Sequence, residues 1–191
     1  MRNVDYHIVL ASNSPRRKEL LKGLDIDFEV KVLPDIAEDY PVGMPAAEIP
    51  LYIAREKAAA YRAMMSDNEL IITADTVVVS GEQVLGKPTD LDDARRMLRL
   101  LSGKTHQVIT GVCLTACDKE RCFAVTTDVS FRELSDDEIT YYVETYHPLD
   151  KAGAYGSQEW IGYIGVTGLK GSYFNVMGLP VQRIYSELKS F

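Results

Sequence analysis

"IVLASNSPRRKELLKGL", Ile8 to Leu24, decides how this chain begins to fold. Residues 6–11 form a short apolar run of the kind that makes a buried strand. Small hydroxyl residues follow, then a helical pattern over 15–23. Ser14 stands at the N-cap position and Pro15 at the first helical position, where a missing N–H costs nothing. Gly23 marks the stop. Strand followed directly by capped helix is the opening unit of an α/β fold. The stretch also poses a chemical question. Arg16 and Arg17 sit at the helix end where the backbone dipole is already positive and favours anions. Free N–H groups there suit a phosphate, and two guanidinium forks add donors matched to its oxygens. Ser12, Ser14, Arg16 and Arg17 are therefore candidate phosphate ligands. A plain N-cap with solvent-facing arginines is the alternative.

Working outward, the same alternation continues. Residues 27–33 predict a strand, 34–45 an acidic, proline-rich loop, and 46–65 a long helix with Pro50 as a restart point. Residues 70–79 predict a second long apolar strand, and "SGEQ" a tight hairpin turn. A helix with an acidic first turn is expected over 90–101. Strands 105–116 and 121–132 should pair antiparallel around "CDKE". Ser135 and Glu138 make a capping box for a helix over 135–146. A Gly- and Tyr-rich stretch, 151–178, precedes a last helix over 180–189. There is no repeat, linker or low-complexity segment. One mixed α/β domain over residues 1–191 is the expected organisation.

Composition narrows the function. The formal net charge of −7 argues against a protein built to hold duplex nucleic acid. It leaves room for a small anionic substrate, because local cations and a metal can overturn the global sign. Cys113, Cys117 and Cys122 lack CxxC spacing and have no nearby histidine, so we expect three thiols buried or half-buried in strands rather than a disulfide framework or zinc site. The start, "MRNVDYHIVLAS", is too short and polar for a signal peptide, and no apolar run approaches membrane-spanning length. These features predict a cytoplasmic protein without a membrane partner.

Several residues could carry chemistry. Asp75 interrupts an apolar strand, where a carboxylate is costly unless paired, and a strand-borne Asp is a rigidly held base or metal ligand. Thr76 beside it sends its side chain to the other face. "GEQVLGKP", Gly81 to Pro88, nearly matches a phosphate-wrapping loop, but Pro88 replaces the hydroxyl residue that would hold magnesium. Lys87 can still meet phosphate as a point charge. Lys57 lies on a charged helix, and Asp35, Glu38 and Asp39 on the acidic loop. In "DKAGAYGSQ", glycines permit close approach of a ligand, and the Gln158 amide can read a base edge. His7, His106 and His147 share no ligand spacing.

Taken together, "LASNSPRR", "REKA", "ADTVV", "GKP", "LSGKTHQVITGV", "DKAGAYG" and "GSYFNVMGLP" resemble the Maf family of nucleoside triphosphate pyrophosphatases, in order and over nearly the whole chain. The resemblance implies an elongated twisted mixed sheet with flanking helices and two lobes around a central cleft. It implies attack of water on the α-phosphorus of a nucleoside triphosphate, releasing monophosphate and pyrophosphate. The family's proton acceptor falls on Asp75, its acidic metal partner on Glu38, its phosphate-binding lysines on Lys57 and Lys87, and its arginine pair on Arg16 and Arg17. Ser12 joins the phosphate ligands. A divalent cation, magnesium or manganese, is implied at Asp75 and Glu38, and a homodimer is implied as the assembly. Arg16, Thr76 and Gln158 follow the branch acting on dTTP and UTP. The 7-methyl-GTP branch carries "SPWRR", "SDQ" and a Glu in place of that Gln. Thr76 and Gln158 can pair with the carbonyl and imide edge of thymine or uracil, an edge that cytosine lacks. "SNS" and the bulky Glu159-Trp160 depart from the family pattern. A non-hydrolysing nucleotide-binding regulator of septum formation is the rival outside enzymes.

Overall fold

The computed structural model describes residues 6–34 and 36–191. Asp35, one of the three loop acids singled out above, lies outside the described residues, as do residues 1–5. Seven strands pair in one mixed sheet. The chain divides into two compact units, residues 1–75, 110–125 and 178–191 in one, residues 76–109 and 126–177 in the other.

The first unit is built on parallel strands. β1 (His7–Leu10) lies between β2 (Glu29–Val30) and β3 (Glu69–Ser80), parallel to both. β1 is followed by α1 (Pro15–Lys22), with Ser14 Oγ accepting from Arg17 N as expected of the N-cap. Gly23 keeps right-handed helical backbone (φ −65°), and the left-handed step falls on Asp25 at φ +52°. α2 (Ile49–Arg62) packs its apolar face inward through Ile53, Ala54, Ala58 and Tyr61. It is shorter than the 46–65 expected. Pro50 occupies its first turn, so the proline starts the helix rather than interrupting it. The strand expected over 27–33 shrinks to two exposed residues, because it is an edge with little to bury.

β5 (Thr105–Thr115) and β6 (Glu120–Phe131) are the expected long pair, and their turn end belongs to the first unit. Here the structure corrects the cysteine expectation. Cys113 and Cys122 form a disulfide with Cα atoms 4.2 Å apart, and Cys117 is exposed in the turn. Spacing alone did not show this, because which residues face each other depends on strand register. α7 (Val181–Leu188) completes the unit.

In the second unit, the end of β3 turns through Gly81-Glu82 into β4 (Gln83–Leu85), with Ser80 opposite Gln83. This is a hairpin, so "GEQVLGKP" is not a phosphate-wrapping loop. α3 (Leu91–Leu101) starts at the Asp90 cap, and α4 (Asp136–Tyr146) carries the full Ser135–Glu138 capping box. Their apolar faces meet Val108, Val129, Phe131 and Tyr155 in one core. The Gly/Tyr-rich stretch holds more structure than its composition suggested: a 3-10 turn (Ala152–Ala154), α5 (Trp160–Gly165), β7 (Val166–Lys170) and α6 (Tyr173–Val176). Among the described residues, no helix is long and apolar enough to cross a membrane.

Candidate active site

β3 supplies the rigid support. Thr73 and Asp75 share one face of the strand by its two-residue period, and that face meets α2. Thr73 Oγ1 donates to the Ala54 carbonyl at 2.7 Å. Ala54 and Lys57 lie three residues apart on one face of the helix, so the same register brings Lys57 over Asp75. The Lys57 ammonium donates to Asp75 Oδ1 at 3.0 Å and reaches Glu38 Oε1 at 2.8 Å. One cation thus gathers a carboxylate from a strand and a carboxylate from the acidic loop.

Asp75 is 9% exposed. Burial pushes its carboxyl above the ordinary carboxylate range, and Lys57 and then Arg17 oppose that rise. A carboxylate whose proton affinity is raised, yet held in place by cations, is suited to take a proton from water.

The two arginines have different environments. Arg17 Nε donates to the Gly178 carbonyl and Arg17 Nη1 to the Ala74 carbonyl, both at 2.8 Å. The guanidinium therefore clamps the backbone immediately before Asp75. Gly178, whose carbonyl accepts from Arg17, has φ +107°, a conformation that a side chain would strain. Burial lowers the Arg17 pKa, while Asp75 and then Glu38 favour its charged form. Arg16 is half-buried. The Ser12 hydroxyl accepts from Ser14 N at 3.2 Å, which folds the link between β1 and α1 into a tight turn.

Ser12, Arg16, Arg17, Glu38, Lys57 and Asp75 thus all fall within the first unit. Thr76, Lys87 and Gln158 belong to the second. Thr76 is half-buried on β3, Lys87 is exposed after β4, and Gln158 is half-buried in the loop before α5. Sequence reasoning missed Thr73 and the two carbonyls that hold Arg17. The two-residue spacing of Thr73 from Asp75 was a usable signal. The carbonyls had none, since backbone groups leave no mark in the side-chain pattern.

The donor set at Lys57 fits a hard divalent cation. Glu38 and Asp75 offer carboxylate oxygens, and both are already drawn to one positive charge. Among the described residues, the one cluster of three metal-ligating side chains is Cys113, Glu120 and Cys122, elsewhere in the first unit. Its cysteines are joined in the disulfide. Two carboxylates are enough for magnesium or manganese when phosphate oxygens and water supply the rest.

Comparison with known proteins adds a family. Residues 7–191 match the family described as Maf-like protein. A dTTP/UTP pyrophosphatase from Phocaeicola vulgatus is 67% identical over 184 residues, covering 96% of this chain and 95% of that protein. One from Bacteroides fragilis is 62% identical over 188 residues, with 98% and 97% covered. Among solved structures, a HAM1 protein from Coxiella burnetii aligns at TM-score 0.49 and 15% identity, covering 97% of this chain and 100% of that one.

Proposed function

Since this chain belongs to the Maf family, we propose that it hydrolyses dTTP and UTP to the monophosphate and pyrophosphate, with Asp75 as the proton acceptor. The observation that carries this reading is the buried Asp75 carboxylate held by Lys57, which also holds Glu38. The relatives named above carry that activity in their names, at identities that leave little room for a different reaction.

Water attacks the α-phosphorus, its oxygen forms the new P–O bond, and its proton passes to Asp75. The bond from the α-phosphorus to the bridging oxygen breaks, and pyrophosphate leaves. Arg16, Lys57 and Lys87 neutralise the phosphates, with the α1 N-terminus adding its dipole. Ser12 presents its hydroxyl to the same anion. Arg17 acts by fixing the Ala74–Asp75 backbone and by placing its positive charge beside the phosphates. Asp75 and Glu38 would hold a divalent cation, magnesium or manganese, whose charge would lower the cost of developing negative charge on phosphate oxygens. Arg16, Thr76 and Gln158 select the base, and the imide edge of thymine or uracil matches the donor and acceptor of the Gln158 amide. The family resemblance supports a cytoplasmic place of action and a homodimer as part of the same proposal.

Initial rates on dTTP, UTP, CTP and 7-methyl-GTP, with pyrophosphate detection and with magnesium or excess chelator, test this reading. Release of pyrophosphate from dTTP and UTP, abolished by chelator, is expected. Preference for 7-methyl-GTP would move the chain to the other branch. Tight nucleotide binding without pyrophosphate would favour the regulator.

A further inference from the structure

Glu159 stood out in the sequence as a bulky departure beside Gln158. In the second unit it is the centre of a polar cluster. Its Oε1 lies 3.1 Å from Lys151 Nζ, and its Oε2 accepts from the Tyr142 hydroxyl. Lys151 is buried and also pairs with Asp150 Oδ1 at 2.8 Å. Tyr142 is fully buried in α4, and its hydroxyl oxygen accepts from Gly156 N at 3.0 Å. One hydroxyl therefore ties the loop backbone at Gly156 to the Glu159 carboxylate, with Gln158 between them in the chain.

The backbone closes the same loop. Glu159 N donates to the Gly156 carbonyl at 3.0 Å. A Cβ at Gly156 would stand 2.8 Å from Glu159 Cδ and 3.1 Å from Lys151 Cε, so the loop lies directly on the ion pair. At Gly162 a Cβ would meet the Ser157 carbonyl oxygen at 2.0 Å, so the residue before Gln158 is pressed onto α5. The backbone on both sides of Gln158 is thus packed, which fixes the point and direction from which its side chain leaves the loop.

We propose that Glu159 is a positioning residue for base selection, which acts through Gln158 by fixing the 156–159 turn to Tyr142 and Lys151. This rests on the reading of Gln158 as the residue that meets the base. An amide reads an imide edge well only when it approaches from a fixed origin, because a loop that shifts lets the amide meet either edge with donor or acceptor. The ion pair is buried at Lys151 and half-buried at Glu159, and such a pair adds little stability by itself.

The test compares kcat and KM for dTTP and CTP in the full-length protein and in Glu159→Ala, Glu159→Gln, Tyr142→Phe and Gln158→Ala. Glu159→Ala and Tyr142→Phe should each lower the dTTP-over-CTP ratio of kcat/KM by about tenfold, mostly through a higher KM for dTTP. Glu159→Gln keeps an acceptor for Tyr142 and should stay within about threefold of the parent ratio. In the Gln158→Ala background, Glu159→Ala should change the ratio by less than about twofold. If Glu159→Ala does not fold, Tyr142→Phe carries the test. Unchanged ratios in Tyr142→Phe and Glu159→Ala, with Gln158→Ala selective for neither base, overturn the positioning role. So does an undiminished effect of Glu159→Ala when Gln158 is absent. An unchanged ratio in Gln158→Ala itself overturns base reading by Gln158 and the inference with it. Absence of hydrolysis in the parent protein overturns the pyrophosphatase reading instead.

Discussion

Lys57 Nζ lies 3.0 Å from Asp75 Oδ1, a contact set by the register between α2 and β3 and shared with Glu38 at 2.8 Å. The lysine, with Arg17 behind it, opposes the cost of burying the Asp75 carboxylate. The same carboxylate is then available to a cation and to water.

Asp75→Asn keeps the shape and removes the proton acceptor. Turnover of dTTP should fall by at least about a hundredfold, in the range expected for loss of a general base. Near-normal rates would show that another group takes the proton.

Arg17 and Arg16 should separate in stability measurements. Arg17→Ala leaves the Ala74 and Gly178 carbonyls without their guanidinium donors, and should cost about 2–3 kcal/mol in denaturant unfolding. Arg17→Lys cannot reproduce the two-pronged contact and should recover only part of that. Arg16→Ala should instead alter nucleotide preference, with a smaller stability loss. Equal losses from both would remove the distinction drawn between them.

His106 is buried against Tyr155, its Nε2 2.7 Å from the phenol oxygen, and burial pulls its pKa from 6.5 to about 4. In the folded protein it therefore stays neutral where the unfolded chain takes up a proton. Its contribution is fully present above pH 6.5 and is lost as the pH falls through the window down to about 4. The expected loss is about 3 kcal/mol by linkage. Urea unfolding between these pH values should show that slope, and His106→Gln should flatten it. A slope that survives the substitution would place the titrating group elsewhere.

The disulfide gives a count. One thiol, Cys117, should react with a thiol reagent in denaturant without reductant, and all three cysteines after reduction. Reduction should also lower the unfolding midpoint, since the crosslink restricts the unfolded chain. Three reactive thiols before reduction would show that Cys113 and Cys122 are not joined.

Much of the fold was legible because local chemistry and the final structure agreed. The Ser14 and Ser135 caps, the Asp90 start of α3 and the hairpin at Gly81-Glu82 each follow from a few neighbouring residues. The stretch 151–178 was not legible in the same way. Its short elements are held by Tyr142, Lys151 and close glycine contacts rather than by their own periodicity.

The alternation of strands and helices, the family and the residue types that could handle a triphosphate were all readable along the chain. These depend on local pattern and on motifs that keep their order along the chain. Which partners those residues have emerges from the folded molecule. It joined Lys57 to both Asp75 and Glu38, turned Arg17 onto the Gly178 and Ala74 carbonyls, and paired Cys113 with Cys122. Such contacts depend on strand register and helix packing. They bring together groups as far apart as residues 17 and 178, which no local pattern specifies.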